Sequence, residues 1–197
     1  MSEPVICNVE PDVAEKINDV GCAMVRPDGL DLGLDEEIIN RITNSGLSVL
    51  KRKISVITSE QVDNLYPNLH ERPYFPPVKQ ALVGRKAMSL VIGGETNVGS
   101  TLLKIKGSAR DTHGSVRGDY SMGHLLSGDL YSSYRMNCLS EEQLRSPEWE
   151  PVMREDRMHS DETTAEAANS IYVMFEEHER AELLSRVPEL LSILLNS

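Results

Sequence analysis

Apolar positions along this chain fall into short stretches whose period changes from one stretch to the next. Cys22-Ala23-Met24-Val25 is a continuous apolar run that stops at Pro27-Asp28-Gly29, which predicts a strand closing in a turn. From Leu34 to Asn44 the spacing becomes helical, with Leu34, Ile38, Ile39 and Ile42 on one face and Gly46 placed to cap the end. Leu47 to Ile57 alternates in part and is rich in β-branched residues, hence a second strand. Thr58-Ser59-Glu60-Gln61 opens a helix with a hydroxyl cap and an early acid. That segment must end before Arg72-Pro73, because the residue preceding a proline leaves the α region. Ala87 to Ile92 predicts a third strand, Thr96 to Lys106 a helix, and Gly107 to Gly118 a polar loop. Between Tyr120 and Pro151 the pattern weakens. It returns in a helix over Thr163 to Phe175, where Ala167, Ile171 and Met174 share a face. Leu183, Leu184, Val187, Leu190, Leu191 and Leu194 form a last amphipathic stripe, with Pro188 at a helix start or kink. This order predicts an α+β sandwich in which helices cover one face of a mostly antiparallel sheet.

Composition narrows the partners. The 197 residues carry 20 Lys and Arg against 31 Asp and Glu, a formal net charge of −11. A phosphate backbone or an anionic membrane is repelled by that mean field, so neither nucleic acid nor a membrane is an expected partner. A small phosphorylated ligand needs only a few local cations and stays open. No apolar run approaches the length of a bilayer span. Cys7, Cys22 and Cys138 are scattered without metal-ligand spacing, and the first residues carry acids where a targeting peptide needs bases. Both point to a reducing cytoplasm.

Four segments carry candidate chemistry: Val25-Arg26-Pro27-Asp28-Gly29-Leu30; Tyr66 through Arg72-Pro73-Tyr74-Phe75-Pro76; Gly114-Ser115-Val116-Arg117-Gly118-Asp119; and His159-Ser160-Asp161. In this order they resemble the nucleoside diphosphate kinase family, with its K-P-D-G, its Tyr before R-P-F-F-P, its G-T-I-R-G-D and its N-x-x-H-G-S-D. The resemblance spans roughly residues 20 to 175. It implies an α+β, ferredoxin-like βαββαβ sandwich preceded by a polar arm (1–19), with an insertion at about 120–151 and a helical tail (176–197). It also implies transfer of a terminal phosphate between nucleotides through a phosphohistidine, using Mg²⁺ with ATP or another nucleotide. On this resemblance His159 matches the nucleophile, Arg117 a phosphate-binding arginine, Tyr66 the tyrosine beside the nucleophile and Tyr74 the aromatic that stacks on the base. Arg26 stands where the family has a phosphate lysine. The residue types suit the chemistry, since a neutral imidazole is nucleophilic at neutral pH and the transferring phosphoryl must be surrounded by positive charge.

The departures from the family pattern share a direction. Arg26 is a fork where a point charge is expected. The second phosphate arginine falls near Leu103, leaving Lys104 or Lys106 to compensate from another face. The asparagine three before the histidine is Asp156, the glycine and serine after it are Ser160 and Asp161, and the glutamate that orients the ring falls on Ser170. The loop before Arg117 lacks the expected threonine, and about thirty extra residues separate Arg117 from His159. A carboxylate about 6 Å from a phosphoryl oxygen costs roughly 3 kcal/mol at an effective dielectric near 20, and each ~1.4 kcal/mol is a tenfold loss of rate. On this count the sequence favours a degenerate family member, with weak or no nucleotide binding. It would serve as an assembly module of the kind built into cilia and flagella, docking a protein partner through the insertion or the tail. The competing reading is an active Mg²⁺-dependent nucleoside diphosphate kinase. The leucine stripe either packs back on its own domain or offers a groove-binding helix, the second slightly favoured. Arg117-Gly118-Asp119 reads as turn chemistry, and His113 as a loop histidine.

Overall fold

The computed structural model describes residues 17–72, 75–108, 113–120 and 157–195. Tyr74, Asp156, the arm up to residue 16 and the expected insertion beyond Tyr120 lie outside the described residues.

Strand β1 (Asp19–Val25) is buried at every position after its first, which is why its sequence shows a run rather than an alternation. With β2 (Ser48–Val56), β3 (Lys86–Gly94) and β4 (Met158–Ser160) it forms one sheet in the order β2-β3-β1-β4. All three pairings are antiparallel. β1 meets β3 from Asp19 opposite Gly94 to Val25 opposite Met88, and its other edge takes β4, with Met24 opposite His159. The β2–β3 register shifts between Val49 and Lys51.

Successive side chains of a strand point to opposite faces, and here both faces are covered. Val20, Cys22 and Met24 of β1 and Ala87 and Val91 of β3 enter one cluster, while Ala23, Val25, Met88, Leu90 and Ile92 enter another. Besides the short α1 (Pro27–Asp31), the described helices are α2 (Asp35–Asn44), α3 (Ser59–Leu65), α4 (Phe75–Leu82), α5 (Val98–Lys106), α6 (Val116–Tyr120), α7 (Thr164–Met174), α8 (Glu177–Arg186) and α9 (Glu189–Leu195). α2, α5 and α6 close the second cluster through Ile38, Ile42, Leu102 and Val116. α3, α4, α7, α8 and α9 close the first through Val62, Val78, Ile171, Leu183 and Leu190. The expectation of one covered face is therefore corrected. β1 and β3 are apolar at consecutive positions, and a strand of that kind needs cover on both sides.

Local chemistry places the ends of several elements. Thr58 caps α3 by accepting from the Gln61 amide (3.1 Å) while the Gln61 side chain accepts from the Thr58 amide (2.9 Å). Thr163 and Glu166 repeat the device at α7, immediately after β4. Gly46, two residues past the end of α2, has a φ of +80° that a side chain would resist.

Of the two readings of the leucine stripe, the structure shows the first. Leu183 and Leu190 are buried in the first cluster, and Leu184, Val187, Ile193 and Leu194 pack against it. α8 is further tied to β2 by Lys51–Glu182 and Lys53–Glu179 ion pairs, each 2.6 Å. Leu191 and Leu195 stay exposed. Among the described residues no helix is long and apolar enough to cross a membrane.

Candidate functional site

β4 is three residues long, and its middle residue is His159. Pairing with Met24 fixes the backbone, leaving the side chain about a quarter exposed at 26%. Two groups hold the ring. Tyr66, at the C-terminal end of α3, meets it edge-on with ring centroids 5.0 Å apart and planes at 75°. Asp161 brings Oδ1 to 3.3 Å from Nε2. The Asp161 carboxylate is itself buried, at 6% exposure, and its amide donates to the Cys22 carbonyl on β1 at 3.0 Å. Among the described residues its other oxygen, Oδ2, has no hydrogen-bond partner. Burial, and then the Asp161 charge, push the Cys22 thiol up from its ordinary value.

The Arg-Pro-Asp-Gly segment sits against the entry to β4. Arg26 is buried, caps α1 with extended backbone, and donates its amide to the Arg157 carbonyl at 2.9 Å. Gly29 is required here, since a Cβ on it would stand 2.8 Å from that same carbonyl oxygen. Asp28 is clamped by Arg85 at 2.7 Å, and Arg85 reaches Asp31 at the same distance. The expected turn after β1 is thus a short helix with Pro27 in its first position, where a missing amide costs nothing.

Arg117 lies on α6, within what the sequence reads as loop, and donates to the Gly107 carbonyl at 3.3 Å. Asp119 pairs with Arg41 at 2.8 Å and accepts from the Gly114 amide at 3.0 Å. The Arg41 guanidinium holds the Asp119 carboxyl below the usual carboxylate range. Arg117-Gly118-Asp119, expected as a turn, is instead helical, lying within α6. His113 is exposed on the approach to it.

Two cations near β4 bear on the missing arginine. Leu103 is half-buried on α5 and brings no charge. Lys106, on the same helix, is buried and donates to the Ser160 carbonyl at 3.4 Å, so it reaches the histidine strand, whereas Lys104 is exposed. Arg157 is a further buried cation that the sequence reading missed, its Nε donating to the Tyr120 carbonyl at 2.8 Å. Its signal was a charged residue two positions before His159, beside the apolar Met158. The structure therefore brings His159, Tyr66 and Asp161 together, sets Arg26 and Arg157 at the start of β4, and carries Arg117 on a separate helix. Among the described residues no group of three or more His, Cys, Asp or Glu side chains is placed to hold a metal ion.

The family model for nucleoside diphosphate kinase matches residues 19–180, which takes in all four strands and α1 to α7. The chain belongs to the nucleoside diphosphate kinase family. The nucleoside diphosphate kinase of Methanocorpusculum labreanum is 31% identical over 102 residues, covering 50% of this chain and 68% of its own length. That of Macrococcus caseolyticus is 29% identical over 101 residues, again 50% of this chain and 68% of the relative. A transition-state mimic of the Borrelia burgdorferi nucleoside diphosphate kinase, with bound vanadate and ADP, superimposes with a TM-score of 0.61 at 18% identity. It covers 82% of this chain and 89% of that one. The nucleoside diphosphate kinase family protein from Babesia bovis gives 0.60 at 18% identity, over 82% and 90% of the two chains. At such identities the structures establish the fold, and the ferredoxin-like sandwich expected from the motifs stands.

Proposed function

We propose that this chain transfers the terminal phosphate of a nucleoside triphosphate to a nucleoside diphosphate, with His159 phosphorylated in between. The observation that carries the reading is the pair of groups on the His159 ring, Tyr66 in edge-on contact and Asp161 at Nε2. By family pattern the orienting carboxylate belongs at position 170, where this chain has serine, and Asp161 reads from sequence as a repulsive charge. In the structure Asp161 bonds the ring, so the same residue that seemed to oppose the chemistry supports it. A carboxylate that accepts from Nε2–H leaves the lone pair on Nδ1.

In the first half-reaction that lone pair forms a bond to the terminal phosphorus of the donor. The bond from phosphorus to the bridging oxygen breaks, and its electron pair leaves with the nucleoside diphosphate. The second half-reaction runs the same exchange in reverse onto a different diphosphate. Mg²⁺ would come with the nucleotide as part of the substrate and would supply positive charge to its phosphates. Arg26 and Arg117 are the chain's own candidates for phosphate charge, and Tyr74 for base stacking.

A specific observation favours the second reading, that of a degenerate assembly module with weak nucleotide binding, such as those of cilia and flagella. Leu103 stands where a phosphate cation is expected, and Lys106 sits under the strand backbone instead. A coupled assay that follows formation of GTP from GDP at the expense of MgATP separates the two. Turnover proportional to protein concentration is expected; its absence in a folded preparation would leave the assembly reading in place.

A further inference from the structure

We infer that Asp161 is the residue that positions His159, fixing the ring as its Nε2–H tautomer. This deepens the reading above and rests on it only for its effect on phosphoryl transfer. The tautomer itself is a property of the unloaded protein.

The first ground is placement. Asp161 follows β4 directly, and its amide is bonded to the Cys22 carbonyl, so the backbone under the carboxylate is an extension of the β1–β4 pairing that also fixes His159. Ring and carboxylate are therefore held by one rigid element, with only Ser160 between them. The second ground is burial. An ionised carboxylate at 6% exposure is costly unless it is bonded, and here Oδ1 has the imidazole nitrogen at 3.3 Å while Oδ2 is buried with no partner among the described residues. A half-satisfied buried acid beside a nucleophile is the kind of group a fold keeps for chemistry rather than for stability.

The third ground is elimination among neighbours. The carboxylate of Glu166, one turn into α7, is taken up by the amides of Glu162 and Thr163 at 2.8 and 3.2 Å, and Glu162 is exposed. Ser170, deeper in α7, is buried and has only a hydroxyl to offer. Tyr66 meets the ring in an edge-on aromatic contact and carries no carboxylate. Asp161 alone among these has a carboxylate on the ring. Since an ionised carboxylate only accepts, the ring must present Nε2–H to it. An amide in the same place accepts or donates, and the tautomer is then no longer fixed.

The test is nitrogen-15 NMR of His159 in the full chain without nucleotide, above the pH at which the imidazole is neutral. Wild type is expected to show the Nε2–H form, and Asp161→Asn a mixture or the Nδ1–H form at an unchanged thermal midpoint. The rate at which Asp161→Asn acquires phosphate from MgATP should fall about a hundredfold, with its affinity for MgADP unchanged. Predominant Nδ1–H in wild type overturns the assignment whatever the variant does. So does an Asp161→Asn protein that keeps both the wild-type tautomer and the wild-type phosphorylation rate. Absence of phosphorylation in a wild-type protein that does show Nε2–H would sink the proposed function and leave this positioning intact.

Discussion

Replacing His159 with glutamine is expected to leave the fold in place and bring phosphoryl transfer down to background, a loss of at least about a thousandfold. The backbone at position 159 keeps its pairing with Met24, because that pairing involves no side chain. Glutamine also fills a partly exposed edge position without creating a large cavity. The buried Asp161 carboxylate loses a partner, which costs on the order of 1 kcal/mol and is visible as a small drop in the thermal midpoint. What disappears is the covalent route, since an amide nitrogen is not a nucleophile toward phosphorus. Steady-state transfer from ATP to GDP, measured beside thermal unfolding, checks both halves. Activity that survives in His159→Gln but vanishes in His113→Gln would move the site to His113-Gly114-Ser115, against the geometry found here.

Leu190→Ala is expected to destabilise the whole domain by about 2–4 kcal/mol. Leu190 is fully buried among the residues of the first cluster, reached by a helix that also brings Ile193 and Leu194 to it. Removing its side chain leaves a cavity between α9, α7 and β1 that these elements cannot close without breaking the pairing around them. At this chain length the thermal midpoint should fall by roughly 5–15 °C. Leu191→Ala, one residue away but exposed, should change stability by no more than about 0.5 kcal/mol. A tail that detaches to capture a partner predicts the opposite. Neither substitution would then move the midpoint of the isolated protein.

Strands β1 and β3 and helices α2, α3, α5 and α7 were legible because each carries its own local signal. The signals are an apolar run, a 3.6-residue period, a capping box or a closing glycine. β4 was not legible by pattern, since three residues are too few for an alternation to show. It is a strand because the edge of β1 is open to receive it. α4 was hidden by Pro76 and Pro77, which read as breakers although a proline in the first turn removes no helical hydrogen bond. α6 was hidden by the glycines on either side of Val116-Arg117. At the site, His159, Tyr66, Arg26 and Arg117 were visible as motif residues. The role of Asp161 was not, because its charge was legible and its direction was not. A carboxylate two residues after His159 repels a phosphate if it points outward and orients the ring if it turns inward. In the folded chain Asp161 Oδ1 stands 3.3 Å from the His159 Nε2, so it turns inward. Lys106 and Arg157 escaped for a similar reason. A lysine at a helix end and an arginine before a short strand look like solvated charges until the chain folds over them.

The most direct measurement is transfer from an isolated phosphoprotein. The full chain is incubated with Mg²⁺ and γ-labelled ATP, freed of nucleotide, and assayed for acid-labile label before being given unlabelled GDP. Near-stoichiometric label is expected on wild type, none on His159→Gln, and complete passage of the label to GTP once GDP is added. A wild-type chain that acquires no acid-labile phosphate, or one that holds its label in the presence of GDP, would rule out transfer through His159.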